Sequence, residues 1–313
     1  FLPFFLFSCN SEDVPQKPEK EQAEVTVWGY FVADTNIKSD IRNNIKTMYE
    51  GLSKMDKQAT LLIYWDGGSS DSYLESSPSI IRYTTDGYGN INGLAARDSS
   101  YSIRFICEQA ETVKAYPSQL STDKDVMTSA LKDMKSFSPT EKIVFVAGSH
   151  GSAWWKNITA SAKSTRAFGQ DGSNTENTIT TPDMAEAIAN AGVKLDLLLF
   201  DACMMGTTEV CYDFRNVTNY MLVSALDVPA PGFPYFNIMN SLYEGTTNHY
   251  TQVAQSYINY YATYPGGWGS IALIDCKEMN NLTKAIKEQI IAHKDDLYSY
   301  DPIGKLQHYG LNP

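Results

Sequence analysis

Histidine, cysteine and basic side chains are all scarce in this chain, and each shortage narrows what it can do. Of 313 residues, 25 are Lys or Arg against 36 Asp or Glu, a formal net charge of −11. Nucleic-acid binding needs clustered cations to displace counterions from phosphates, so the composition argues against it. The same balance fits a secreted or envelope protein and a site that draws in cationic substrate. The five cysteines (Cys9, Cys107, Cys203, Cys211 and Cys276) are odd in number and widely spaced. No C-x-x-C pair occurs among them, which argues against a zinc site and against a disulfide framework. No internal repeat is present. Hydrophobic residues make up 43% and charged residues 19%, as expected of a chain that buries a real core.

The chain begins at Phe1 rather than Met. Phe1 to Phe7 is apolar, too short to span a membrane, and has no basic segment before it. Running into Ser8-Cys9, it resembles the end of a bacterial lipoprotein signal peptide, with Cys9 as the lipidated residue. Residues 10–23 then read as a polar, disordered tether, and Ser11-Glu12-Asp13 resembles an acidic surface-export signal. This reading places the protein at the bacterial cell envelope, lipid-anchored to the outer membrane and facing the cell surface.

From Glu24 onward the pattern is that of a globular domain. Val25 to Ala33 is β-branched and aromatic, Ala59 to Trp65 is a short apolar run, and Lys142 to Ala147 and Leu195 to Phe200 are two more. Between them lie helical patterns. Ile37, Ile41, Ile45, Met48 and Leu52 recur at helical spacing. Ser121 to Met134 is a second helix, with Thr122 as cap and Asp125 completing a capping box. A third runs from Thr181-Pro182 to Gly192. Strands apolar on both faces, alternating with helices, predict an α/β fold with a mostly parallel sheet between two helical layers. Ser69 to Ser100 reads as loops or hairpins with a strand at Ile80 to Tyr83, Tyr220 to Ser224 as a strand, and Tyr243 to Tyr264 as one helix. Gly269 to Asp275 gives a last strand and Lys277 to Asp296 an amphipathic helix. Residues 24–245 are expected to form the main domain, with 246–313 packed on it.

Two of the apolar runs end in chemistry. Of the four histidines, His150 follows a buried strand and precedes Gly151, while His249, His293 and His308 sit in polar surroundings and read as surface residues. Cys203 ends a second buried strand, just before a helix expected at Gly206 to Phe214. Open α/β sheets bind ligands at the carboxyl ends of strands. A helix N-terminus and an imidazole both favour thiolate. A thiolate and an imidazole on one sheet edge suit nucleophilic acyl transfer. The backbone N–H groups of Gly151 and Cys203 would face the developing oxyanion. Cys107, Cys211 and Cys276 read as buried and inert.

These residues carry a resemblance. Gly148-Ser149-His150-Gly151-Ser152 and Leu199-Phe200-Asp201-Ala202-Cys203-Met204-Met205-Gly206 resemble the His-Gly and Asp-Ala-Cys blocks of the clostripain family. Ala33-Asp34-Thr35-Asn36, Thr181-Pro182-Asp183, Glu209, Ser224 and Pro231-Gly232-Phe233-Pro234-Tyr235 match further blocks in order. The resemblance implies a caspase-like αβα sandwich and hydrolysis of a polypeptide after Arg or Lys, by a Cys203–His150 dyad through a thioester. Asp201 would bind the basic P1 side chain; a buried carboxylate accepting backbone hydrogen bonds is its other reading. Pro231 stands where a second acid is usual, and Asp227 is the substitute at hand. Some members are cut between the His and Cys blocks, where this chain has Lys156, Lys163 and Arg166. Calcium dependence also occurs in the family; Asp34, Asp66 and Asp171 are loop carboxylates, but no compact oxygen-ligand loop is visible and no metal is assigned. A monomer is expected. The alternative is a catalytically silent envelope lipoprotein that binds peptide or glycan, with Tyr264-Pro265-Gly266-Gly267-Trp268 available for stacking.

Overall fold

A computed structural model describes residues 17–68, 78–95, 102–153 and 167–300. The first half contains β1 (Val25–Val32), α1 (Lys38–Leu52), β2 (Ala59–Asp66), β3 (Ser79–Thr85), β4 (Asn90–Ile91), β5 (Leu94–Ala95), α2 (Ile103–Gln109), β6 (Glu111–Ala115), α3 (Lys124–Phe137) and β7 (Lys142–Gly148). Then come β8 (Gly151–Ala153), β9 (Ala167–Phe168), β10 (Ile179–Thr180), α4 (Thr181–Asn190), β11 (Leu195–Asp201), α5 (Thr208–Phe214) and β12 (Thr218–Val223). The last part holds α6 (Tyr235–Glu244), α7 (Thr247–Thr263), β13 (Ala272–Asp275), a 3₁₀ turn, α8 (Met279–Ala292) and α9 (Lys294–Ser299).

The main sheet runs β13-β12-β11-β7-β1-β2-β3-β4-β5, with β6 on β3. Its centre, from β12 to β2, is parallel, while β13 and β3 pair antiparallel at either side. Every residue of β1 and β2 is buried, because helices cover both faces. Alternation sorts the strand residues. Val27, Phe31, Leu61, Ile63, Val144, Leu197 and Leu199 pack with α1, α6 and α7. Trp28, Tyr30, Leu62, Phe145, Leu198 and Phe200 pack with α3, α4 and α5. Each such side chain contributes about 1.5–3 kcal/mol on burial. A second, three-stranded antiparallel sheet, β10-β9-β8, sits after β7.

Several expectations change in detail. Helix α3 starts at Lys124, and its cap is Asp123, not Thr122: the Asp123 carboxylate accepts from the N–H groups of Asp125 and Val126 at 2.8 and 3.1 Å. The expected Tyr243–Tyr264 helix is two helices. Gly245, at φ 60°, breaks it in the left-handed conformation that ends α6. Likewise α8 and α9 are separated at His293. Helix α2 and strand β6 were not anticipated. Cys9, the tether up to residue 16, Lys156, Lys163, Arg166 and His308 lie outside the described residues.

Gly245 offers a test of the packing. A Cβ there would meet Val25 Cγ2 at 2.4 Å, on a backbone that L-residues disfavour. Gly245→Ala should lower the unfolding free energy by at least about 1–2 kcal/mol in urea denaturation; an unchanged midpoint would refute this packing.

Candidate active site

Strands β7 and β11 are adjacent and parallel, with Ala147 opposite Phe200 and Gly148 opposite Asp201. Two residues further on, at matching positions beyond the sheet edge, stand His150 and Cys203. Parallel neighbours lie about 4.8 Å apart, so the register sets the turns that carry His150 and Cys203 side by side. Ser149 fixes the turn before His150: its hydroxyl donates to the Val32 carbonyl at the end of β1 (2.7 Å), and the Gly169 N–H donates to the His150 carbonyl (2.8 Å). Gly151 presses on the opposite turn. A Cβ at this residue would lie 2.4 Å from the Cys203 carbonyl oxygen.

The chain bends sharply after Cys203. Met204 takes φ 59°, a left-handed conformation that costs a non-glycine residue about 1–2 kcal/mol, and its N–H donates to the Leu226 carbonyl at 2.9 Å. This bend corrects the expectation of a helix at Gly206. Helix α5 begins at Thr208, capped by the Thr207 hydroxyl, and so does not start directly after the thiol. The Cys203 thiol is not lowered in the resting state. Burial pushes its pKa up, with the Asp227 carboxylate adding to the rise; the hydrogen bond from Val228 opposes it. The Val228 N–H reaches Sγ at 3.4 Å, and Sγ lies 3.8 Å from the Val228 carbonyl.

His150 is half-buried, and that burial holds its pKa below the ordinary imidazole value. Its Nε2 lies 2.9 Å from Oδ1 of Asn36. Asn36 was passed over as a functional residue in the sequence; its signal was a polar amide just past the end of β1, the strand next to β7. A cleft of about 410 Å³ opens beside it, lined by residues that include Asp34, Thr35, Asn36, Lys38 and Gln170.

Asp201 is buried. Its Oδ2 accepts from the Asn44 amide (2.9 Å) and the Tyr235 hydroxyl (2.8 Å), and the Phe233 N–H also donates to the carboxylate. These partners are neutral, so burial dominates and the carboxyl pKa is pushed up to about 6. Gly232 closes over it: a Cβ there would lie 2.6 Å from Oδ2.

The model of the clostripain family, Peptidase C11, matches residues 29–299. The chain belongs to the clostripain family. Clostripain of Hathewaya histolytica is 24% identical over 249 residues, covering 75% of this chain and 45% of that protein. The chain thus spans less than half the length of that relative. A secreted C11 cysteine protease of Bacteroides thetaiotaomicron, solved with an irreversible peptide inhibitor, is 26% identical. The match covers 85% of this chain and 69% of that one, with a TM-score of 0.67. An inactive zymogen C11 protease of Parabacteroides distasonis, 22% identical, gives a TM-score of 0.70 over 95% of this chain and 75% of that one. These likenesses bear out the mixed α/β, caspase-like architecture expected from the sequence.

Within this family fold, the remaining candidates separate. Asp227 stands beside the Cys203 thiol. Cys211 and Cys276 are buried, which pushes both thiols up to about 12 and leaves them unreactive. The three loop carboxylates come to neighbouring strand ends. Ser121 donates to both Asp66 and Asp171, through its hydroxyl and its N–H, while Asp34 packs against Gly68. Among the described residues no group of three His, Cys, Asp or Glu side chains is arranged to hold a metal ion. Nor is any described helix long and apolar enough to cross a membrane.

The Asp227 carboxylate disfavours the Cys203 thiolate, so Asp227→Asn should shift the pH profile of iodoacetamide alkylation at Cys203 to lower pH. A profile that stays in place or moves upward would contradict the assigned contact.

Proposed function

We propose that this chain is a cysteine endopeptidase that cleaves after Arg or Lys, with Cys203 as nucleophile and His150 as general base and acid. The observation that carries this reading is the register of β7 and β11, which brings both side chains to one sheet edge. In the resting state both groups are biased toward neutrality, since burial raises the thiol and lowers the imidazole. Neutral imidazole is the form that can accept a proton. Once the thiol turns from Val228 toward His150, the imidazole takes its proton and the sulfur attacks the substrate carbonyl carbon. The N–H groups of Gly151 and Cys203 meet the oxyanion. Collapse breaks the C–N bond, His150 gives its proton to the leaving amine, and water hydrolyses the thioester. The leaving half would depart past His150, over the cleft on the β1 side.

Asp201 is the candidate for P1 recognition. A buried carboxylate with neutral donors alone lacks countercharge, and a P1 guanidinium or ammonium would supply it. Asp227 takes the place of the second acid that Pro231 does not provide. On a mixed peptide library, Asp201→Asn should lower kcat/KM for basic P1 residues by about 100-fold and leave neutral P1 residues nearly unchanged. Equal losses for both classes would assign Asp201 to structure alone.

Self-cleavage fits the same chemistry. Lys156, Lys163 and Arg166 lie between β8 and β9, so a cut there would leave His150 and Cys203 on separate fragments. Purified protein should yield two fragments on incubation and Cys203→Ala should stay whole; identical intact chains from both would dismiss the idea.

A further inference from the structure

An imidazole acts as a base only through the nitrogen that carries a lone pair, and the hydrogen bonds around Asn36 determine which one that is. The Thr35 hydroxyl oxygen accepts from the Ile37 N–H at 3.3 Å, which leaves its proton free to be donated to Asn36 Oδ1 at 3.1 Å. An amide oxygen is an acceptor only. The same Oδ1, 2.9 Å from Nε2 of His150, therefore takes a hydrogen bond from Nε2–H. In neutral imidazole the lone pair then sits on Nδ1.

We propose that Asn36 is a positioning residue: it holds His150 in the Nε2–H tautomer, so that Nδ1 takes the Cys203 proton and returns it to the leaving amine. The inference rests on the peptidase reading above. Three strand ends build this arrangement, with Asn36 past β1, His150 past β7 and Cys203 past β11, neighbours in that order. The choice of an amide matters. A carboxylate would also orient the ring, but it would favour imidazolium and remove the base near neutral pH. An amide orients it without that charge. Among the described residues, the other ionisable groups at this edge of the sheet are Asp34 and Lys38 after β1, Asp66 at the end of β2, Asp171 after β9, and Asp201 and Asp227 near the thiol. Burial depresses the His150 pKa.

Two readouts test the assignment. Nitrogen-15 NMR of histidine-labelled Cys203→Ala protein, with four histidines to resolve, should show the Nε2–H tautomer for His150; the Nδ1–H tautomer would overturn the proposal. In steady-state kinetics, Asn36→Ala should lower kcat by about 10-fold or more with KM little changed. Asn36→Asp should regain much of that kcat while its acid limb moves to higher pH, because the carboxylate stabilises imidazolium. An Asn36→Ala enzyme as fast as wild type, or an unmoved limb in Asn36→Asp, would also overturn it. Failure of the peptidase reading looks different: no Cys203-dependent turnover in the wild type, with the His150 tautomer still reporting the Asn36 contact.

Discussion

The turn that carries His150 and the turn that carries Cys203 touch backbone to backbone. With no side chain on Gly151, its α-carbon can approach the Cys203 carbonyl oxygen so closely that an added Cβ would lie at 2.4 Å. The contact follows from the register of β7 and β11. It is held from outside by Ser149, which bonds to the end of β1, and by Met204, which bonds to the segment after β12. The left-handed backbone at Met204 stores a small strain. That strain is sustained by the two buried layers on either side of the sheet.

Burial sets the electrostatics of the same place. It raises the acids and lowers the base, so Cys203, Asp201 and His150 are all biased toward their neutral forms. A site prepared in this way changes most when a substrate brings charge. A P1 cation over Asp201 would stabilise the carboxylate, and proton transfer from thiol to imidazole would create the thiolate only when a carbonyl is ready for attack. Among the charges near the thiol, the Asp227 carboxylate opposes the thiolate in the resting state. A cationic substrate side chain nearby would offset that repulsion, which couples occupancy of the site to reactivity.

The strands were readable because β1, β2, β7 and β11 are apolar on both faces, a pattern that only a covered parallel sheet explains. The placement of His150 and Cys203 at adjacent strand ends was readable for the same reason: each ends such a run in a small-residue turn. Local choices were harder. Thr122 and Asp123 are both good caps, and only the three-dimensional turn assigns the bonds to Asp123. The start of α5 was misplaced because the bend at Met204, a non-glycine residue at positive φ, leaves no mark in the sequence. Asn36 was hidden because its partner lies 114 residues away. The neutral partners of Asp201, Asn44 and Tyr235, lie 157 and 34 residues away. Both contacts depend on strand order, which no local pattern encodes.

In the proposed mechanism the Cys203 sulfur forms a covalent acyl intermediate with its substrate. Rapid acid quench of the protein with a peptide ester carrying Arg at P1, followed by intact-mass and fragment analysis, tests it most directly. The expected result is a mass increase equal to the acyl half of the ester, located on Cys203 and lost in Cys203→Ala. Turnover of the same ester by Cys203→Ala at the wild-type rate, with no adduct on either protein, would contradict it.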